Sequence, residues 1–168
     1  MRSIIVLAIA VLVTACAIKH QPLPEGYSGP TAMIIDTMDP VSSTRVFFFQ
    51  LLNIDEREVL PSSVKTASAS AGQGFVMNRH VQSHVVPAGE AILMLEAKTH
   101  VAAPILALGG GMYKVQGEVS VTLEEDVGYY VRGHLSKDYS AVWLEDYSGR
   151  IVSEKIEVGD PPADLALL

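Results

Sequence analysis

The chain holds a single thiol, Cys16, and with no second cysteine it cannot form an intrachain disulfide. Its position therefore decides what it can do. His80 and His84 are four residues apart, a spacing that on a helix places two imidazoles on one metal ion. No glutamate stands between them, no third ligand is near in sequence, and the segment reads as strand or loop, so no metal ligand is assigned. His134 falls on the polar side of a strand pattern, and His20 lies in a Pro-rich stretch. The serines sit in turns and in residues 62–70, none framed as a Gly-x-Ser-x-Gly elbow. Glu145 and Asp146 are adjacent, and neighbours on a strand face opposite sides, which suits them poorly to shared acid–base work. Gly109-Gly110-Gly111 lacks the helix and the lysine–serine pair that complete a phosphate loop. No catalytic residue and no cofactor is assigned, and a hydrolase ranks third among the functional readings.

The residues before Cys16 give the thiol its context. Met1-Arg2-Ser3 carries one positive charge, and residues 4–13 form an uninterrupted apolar run. That run is too short to cross roughly 30 Å of hydrocarbon as a helix, but it has the length of a signal-peptide core. Leu12-Val13-Thr14-Ala15-Cys16 resembles the lipobox of bacterial lipoproteins. The resemblance implies that residues 1–15 are removed and that Cys16 becomes a lipid-modified N-terminus. In that family a diacylglyceryl group is attached to the sulfur and the new amine is acylated. Each buried methylene contributes ~0.8 kcal/mol, so several chains together hold a protein at the bilayer. Ala17 stands where aspartate commonly marks inner-membrane retention in the family, which favours the outer membrane, facing the periplasm. The implied partner at this end is the membrane itself.

Elements beyond the leader must fit 168 residues and a formal charge of -7. The length allows one domain after the leader. The acidic balance argues against nucleic acid, whose phosphate backbone demands a clustered basic face. Residues 16–30, rich in Pro and Gly, read as the lipidated cysteine and a flexible tether. Residues 31–158 read as the folded domain. Gly159-Asp160-Pro161-Pro162 then stops regular structure and leaves residues 159–168 as a loose tail.

Within the domain the signal has period two. Tyr113, Val115, Gly117, Val119, Val121 and Leu123 point one way, and Lys114, Gln116, Glu118, Ser120 and Thr122 the other. Further strands are expected over residues 31–36, 45–53, 91–99, 129–135, 141–145 and 151–158, with a weaker one within 72–86. Phe47-Phe48-Phe49 and Leu51-Leu52 are apolar on both parities, as suits a central strand covered on both faces. Residues 62–74 read as a loop or short helix. The close turns after residue 123 describe a meander of hairpins. About eight short strands predict an all-β, antiparallel sandwich of Ig-like or transthyretin-like character.

From Val86 the order Val-Pro-Ala-Gly-Glu, an alternating strand, Tyr129-Tyr130-Val131-Arg132-Gly133 and Val142-Trp143-Leu144-Glu145-Asp146 resembles PEGA-type and related β domains of cell-envelope lipoproteins. Val-Pro-Ala-Gly-Glu departs from the Pro-Glu-Gly-Ala order that names the family. The resemblance implies a non-catalytic envelope module and carries no functional residues over.

The candidate binding feature is apolar. Residues 102–108, Ala-Ala-Pro-Ile-Leu-Ala-Leu, form a hydrophobic loop, and Tyr and Trp residues cluster downstream. Ile105, Leu106 and Leu108 with Trp143 are the expected contact patch for an envelope protein partner or for a second copy of the chain. The alternative is a small-ligand or glycan-binding module that uses the tyrosine and tryptophan faces.

Overall fold

The computed structural model describes residues 21–162. The leader, Cys16 and residues 163–168 lie outside them. The described residues form an all-β sandwich of two sheets, as expected. In chain order the strands are β1 (Thr31–Ile35), β2 (Thr37–Pro40), β3 (Arg45–Ile54), β4 (Arg57–Glu58), β5 (Ser83–Pro87), β6 (Gly89–Val101), β7 (Lys114–Leu123), β8 (Gly128–Leu135), β9 (Tyr139–Asp146) and β10 (Ile156–Gly159). A helix, α1 (Ser62–Ser70), precedes β5, and a 3-10 turn (Pro104–Gly109) follows β6. One sheet runs β10-β9-β8-β1-β5 and the other β2-β3-β6-β7, with β4 paired to β3. All pairs are antiparallel except β1 with β8.

Alternation explains the strands. On β7 the Val115, Val119, Val121 and Leu123 side chains are buried, while Lys114, Gln116, Glu118, Ser120 and Thr122 are exposed. Phe49, Leu51 and Ile54 of β3 meet Leu93 and Leu95 of β6, Ile34 of β1 and Val131 of β8 in one core between the sheets. Fully burying each such side chain contributes about 1.5–3 kcal/mol relative to leaving it in water. The opposite face of β3 is covered too: Phe48 packs edge-on to His100 at 5.8 Å, and Gln50 meets α1. Both parities of β3 are therefore buried, as its composition requires.

The chain changes sheet four times: from β1 to β2, from β4 through α1 to β5, from β5 to β6, and from β7 to β8. At Asp36 the chain leaves β1 and joins the other sheet as β2, and at Pro87-Ala88-Gly89 it crosses again from β5 to β6. Gly89 has φ 113°, a conformation that disfavours any Cβ. The expected meander holds for β8, β9 and β10 but fails between β7 and β8, because residues 124–127 carry the chain from one sheet to the other. Both strands alternate alike, and turn spacing does not encode which sheet a strand joins. Over residues 151–158 only Ile156 onward forms a strand; Ile151 makes an isolated bridge to Glu145. Of residues 72–86, only those from Ser83 onward join a sheet.

The two ends of the sandwich differ. At the lower end lie Thr31, Pro87, Gly89, Leu123 and Gly128; at the upper end lie Pro40, Arg45, Val101, Lys114, Leu135 and Gly159. Part of the segment expected to be a flexible tether is held against the domain. Arg57 Nε donates to the Pro22 carbonyl at 3.2 Å, the Tyr27 N–H bonds the Pro24 carbonyl at 3.1 Å, and the Tyr27 hydroxyl donates to the Pro30 carbonyl at 2.7 Å.

Candidate contact surface

The polar cluster best placed for chemistry is centred on Asp36, a residue that the sequence did not single out. Asp36, at the first sheet crossing, is 1% exposed. Its Oδ1 accepts the Leu51 N–H at 2.9 Å, and its Oδ2 accepts the Ser62 N–H at 3.0 Å and the Ser62 hydroxyl at 2.7 Å. His84 Nε2 lies 3.3 Å from Oδ1. Serine, histidine and aspartate thus meet, but the carboxylate sits between the other two. A nucleophilic triad needs the imidazole beside the hydroxyl. The Ser62 hydroxyl also accepts the Gln82 N–H at 2.8 Å and is fully buried, so no substrate reaches it.

The cluster is a brace for α1. Pro61 at the N-cap makes no side-chain hydrogen bond, leaving the first helical N–H groups to other partners. Asp36 takes that of Ser62, and Gln50 Oε1 takes that of Ser63 at 2.9 Å. Gln50 Nε2 donates in turn to Ser63 Oγ at 3.0 Å and to Glu96 Oε2 at 2.6 Å. Lys114 Nζ lies 2.9 Å from Glu96 Oε1, and Lys98 Nζ 3.3 Å from Oε2. Burial pushes the Glu96 carboxyl up, but Lys114, Lys98 and Gln50 together outweigh it and hold it below the ordinary glutamate range. A polar line therefore runs from the helix start across β3 and β6 to solvent-facing lysines. A proline followed by two serines is a helix-start signal that could have pointed to α1. No local pattern could have named Asp36 and Gln50 as the caps.

The apolar loop behaves differently. After β6 the Ala102 N–H bonds the Thr44 carbonyl at 2.9 Å, which ties the loop to the β2–β3 turn. The chain then makes the 3-10 turn, with the Leu106 N–H on the Ala103 carbonyl at 3.0 Å. Gly110 and Gly111 adopt φ 78° and 70° to leave the turn, and Arg45 Nη2 donates to the Gly110 carbonyl at 2.8 Å. Three residues per 3-10 turn put Ile105 and Leu108 on one side. Ile105 is 61% exposed and Leu108 82%, with Met112 also exposed and Leu106 half-buried. No charged side chain occurs from Val101 to Tyr113.

Trp143 does not join this patch, which corrects the expectation drawn from sequence. It is 4% exposed and packs with Tyr139, Ala141 and Ile151 in a separate cluster on the outer face of β9. Its Nε1–H donates to Glu145 Oε1 at 2.7 Å, and Lys155 Nζ lies 5.3 Å from the ring centroid. The physical reason is the return of the chain after β9, which brings Ile151 and Lys155 onto the tryptophan. A glycan cannot stack on a ring covered in this way. Tyr139 belongs to the same cluster; burial, and then Glu157, raise its hydroxyl to about 12.

The histidine pair does not converge either: His84 is buried beside Asp36, while His80 is exposed and bonds Thr66 through its backbone. Among the described residues no group of three or more His, Cys, Asp or Glu is placed to hold a metal ion. A groove of about 820 Å³ lies toward the lower end, lined by Asp55, Glu90, Ile92, Ser120, Thr122 and Val152 among others. Among the described residues no helix is long and apolar enough to cross a membrane. The chain matches no family model, no curated protein and no solved structure.

Proposed function

We propose that this chain is a lipid-anchored, non-catalytic protein of the bacterial envelope, held by acyl chains on Cys16 at the periplasmic face of the outer membrane. It acts by protein contact through the upper-end turn bearing Ile105, Leu106 and Leu108. The observation that carries the contact reading is the 82% exposure of Leu108 on a turn held in place by Arg45 and Thr44. A large apolar side chain fixed in water at the head of an uncharged run is a hallmark of an interaction surface. The lipobox-like stretch ending at Cys16 supports the anchor, and the PEGA-like order of strands and turns supports the envelope module.

Two measurements test the halves separately. Cys16→Ser is expected to yield a released or unprocessed chain; a variant that stays at the membrane with unchanged mass refutes the anchor. A photo-crosslinker placed at Leu108 in the membrane-bound protein is expected to capture a defined envelope protein that a crosslinker at Glu118 does not. Ile105→Asp is expected to abolish that capture. Equal capture from both positions, or none, refutes the contact reading.

A further inference from the structure

We infer that the partner of the apolar turn is a second copy of this chain, which receives the turn in the groove at its lower end, so that copies join head to tail. This inference deepens the contact reading of that turn and rests on it. Complementary charge is the first argument. No carboxylate occurs from Ala97 to Gly117, and two cations flank the turn: Arg45, on the Gly110 carbonyl, and the exposed Lys114, where the loop ends. The groove carries the opposite sign, with Asp55 and Glu90 among its lining residues. Arg57 lies 3.2 Å from Asp55, but among the described residues Glu90 has no ion-pair partner. Glu124, Glu125 and Asp126 are exposed in the turn after β7 at the same end, and Arg150 there is held by Asp146 at 3.0 Å. Potentials matched in this way steer encounter and fix register.

Apolar fit is the second argument. Ile92 is 51% exposed on the outer face of β6, and it lines the groove with Val152 and the hydroxyl residues Ser120 and Thr122 of β7. Seating Ile105 and Leu108 on Ile92 removes three large aliphatic side chains from water at once. Preformed geometry is the third. Arg45 and Thr44 hold the turn, and Asp55 Oδ1 accepts the Ile92 N–H at 2.9 Å, which fixes the β3–β4 hairpin at the groove. Neither surface has to be ordered on binding, so little of the contact energy is lost. Nine strand steps, about 30 Å, separate Ile92 from Val101, so a chain cannot fill its own groove with its own turn. The contact is heterologous: each docked copy leaves a free turn at one end of the row and a free groove at the other.

The test uses the full chain in phosphatidylcholine vesicles, as a mixture of heavy-isotope-labelled and unlabelled copies with a photo-crosslinker at Leu108. Cleavage after lysine and arginine places the turn in residues 99–114 and the β6 and β7 walls of the groove in residues 80–98 and 115–132. The expected product joins 99–114 of one copy to 80–98 or 115–132 of another, seen as peptides of mixed label. Ile92→Asp and Ile105→Asp, both at exposed positions, are each expected to lower its yield about tenfold, and Glu90→Lys about fivefold. Mixing an Ile92→Asp chain that carries the crosslinker with an Ile105→Asp chain is expected to restore the crosslink, in products that stop at two copies. Links between the 99–114 peptides of two copies overturn the head-to-tail inference, as does an Ile92→Asp chain that links to itself as well as the parent does. If Leu108 captures a different envelope protein in intact cells and no second copy, the inference falls while the contact reading stands. If it captures nothing in vesicles or cells, both fall.

Discussion

Removing the carboxylate of Asp36 should be among the most damaging single changes to this domain. In Asp36→Ala the Leu51 and Ser62 N–H groups lose their acceptor. Both sites are fully buried, so water does not replace it. Each orphaned buried donor costs about 1–3 kcal/mol, and the helix also loses an N-terminal acceptor worth about 0.5–2 kcal/mol. These effects overlap at Ser62, and the Ser62 hydroxyl can rotate, so the net expectation is about 4 kcal/mol. For a domain of this size that lowers the melting temperature by roughly 8–16 °C. Asp36→Asn keeps one carbonyl oxygen and should lose about half as much. His84→Gln should cost less than Asp36→Ala, because His84 Nε2 lies near Oδ1 without completing a hydrogen bond. Urea denaturation of the three variants against the parent chain decides the matter. An Asp36→Ala loss under about 1 kcal/mol, or an Asp36→Asn loss equal to it, would refute the claim that these backbone bonds set the cost.

Two further outcomes follow from close contacts and titration. In Gly133→Ala the new methyl would meet the Ala141 carbonyl oxygen and lie 2.6 Å from Phe49 Cδ1; overpacking of this kind should cost about 1–3 kcal/mol, read as a lowered urea midpoint with unchanged slope. Asp146, held at about 2 by the Ser148 hydroxyl and, against the opposing effect of burial, by Arg150 and the backbone N–H groups, binds its proton more weakly folded than unfolded. Its stabilisation is therefore complete above about pH 4 and lost as the pH falls to about 2. Asp146→Asn should flatten the urea midpoint across that window, and an unchanged acid slope would contradict it.

How much of this was legible beforehand depends on whether the cause is local. The β7 alternation, the doubly apolar β3 and the turn after β8 all act within a few residues, and each was readable. The assignment of β7 and β8 to different sheets was not, since it depends on what β8 finds beside it, namely β1 in a parallel pairing. The exposed apolar turn could be read because a run without charge or alternation has no reason to enter a sheet. Trp143 misled for the opposite reason: its cover comes from Ile151 and Lys155 across a chain reversal, and composition alone cannot report that reversal. The Asp36 and Gln50 caps escaped notice because their partners stand 26 and 13 residues away.

The bond from Arg57 to the Pro22 carbonyl also sets a ruler. With Cys16 in the bilayer as proposed, six residue steps separate it from Pro22, a contour of at most about 20 Å. From the lower end β6 climbs thirteen residues to Val101, about 40 Å at a strand's rise. A leash shorter than the body it holds confines the domain to a thin layer beside the bilayer. Under that constraint a partner for the turn is met by lateral diffusion in the same layer or by approach from the aqueous side. Lengthening the segment before Pro22 would widen the zone that the turn can sweep, without altering any contact the turn makes.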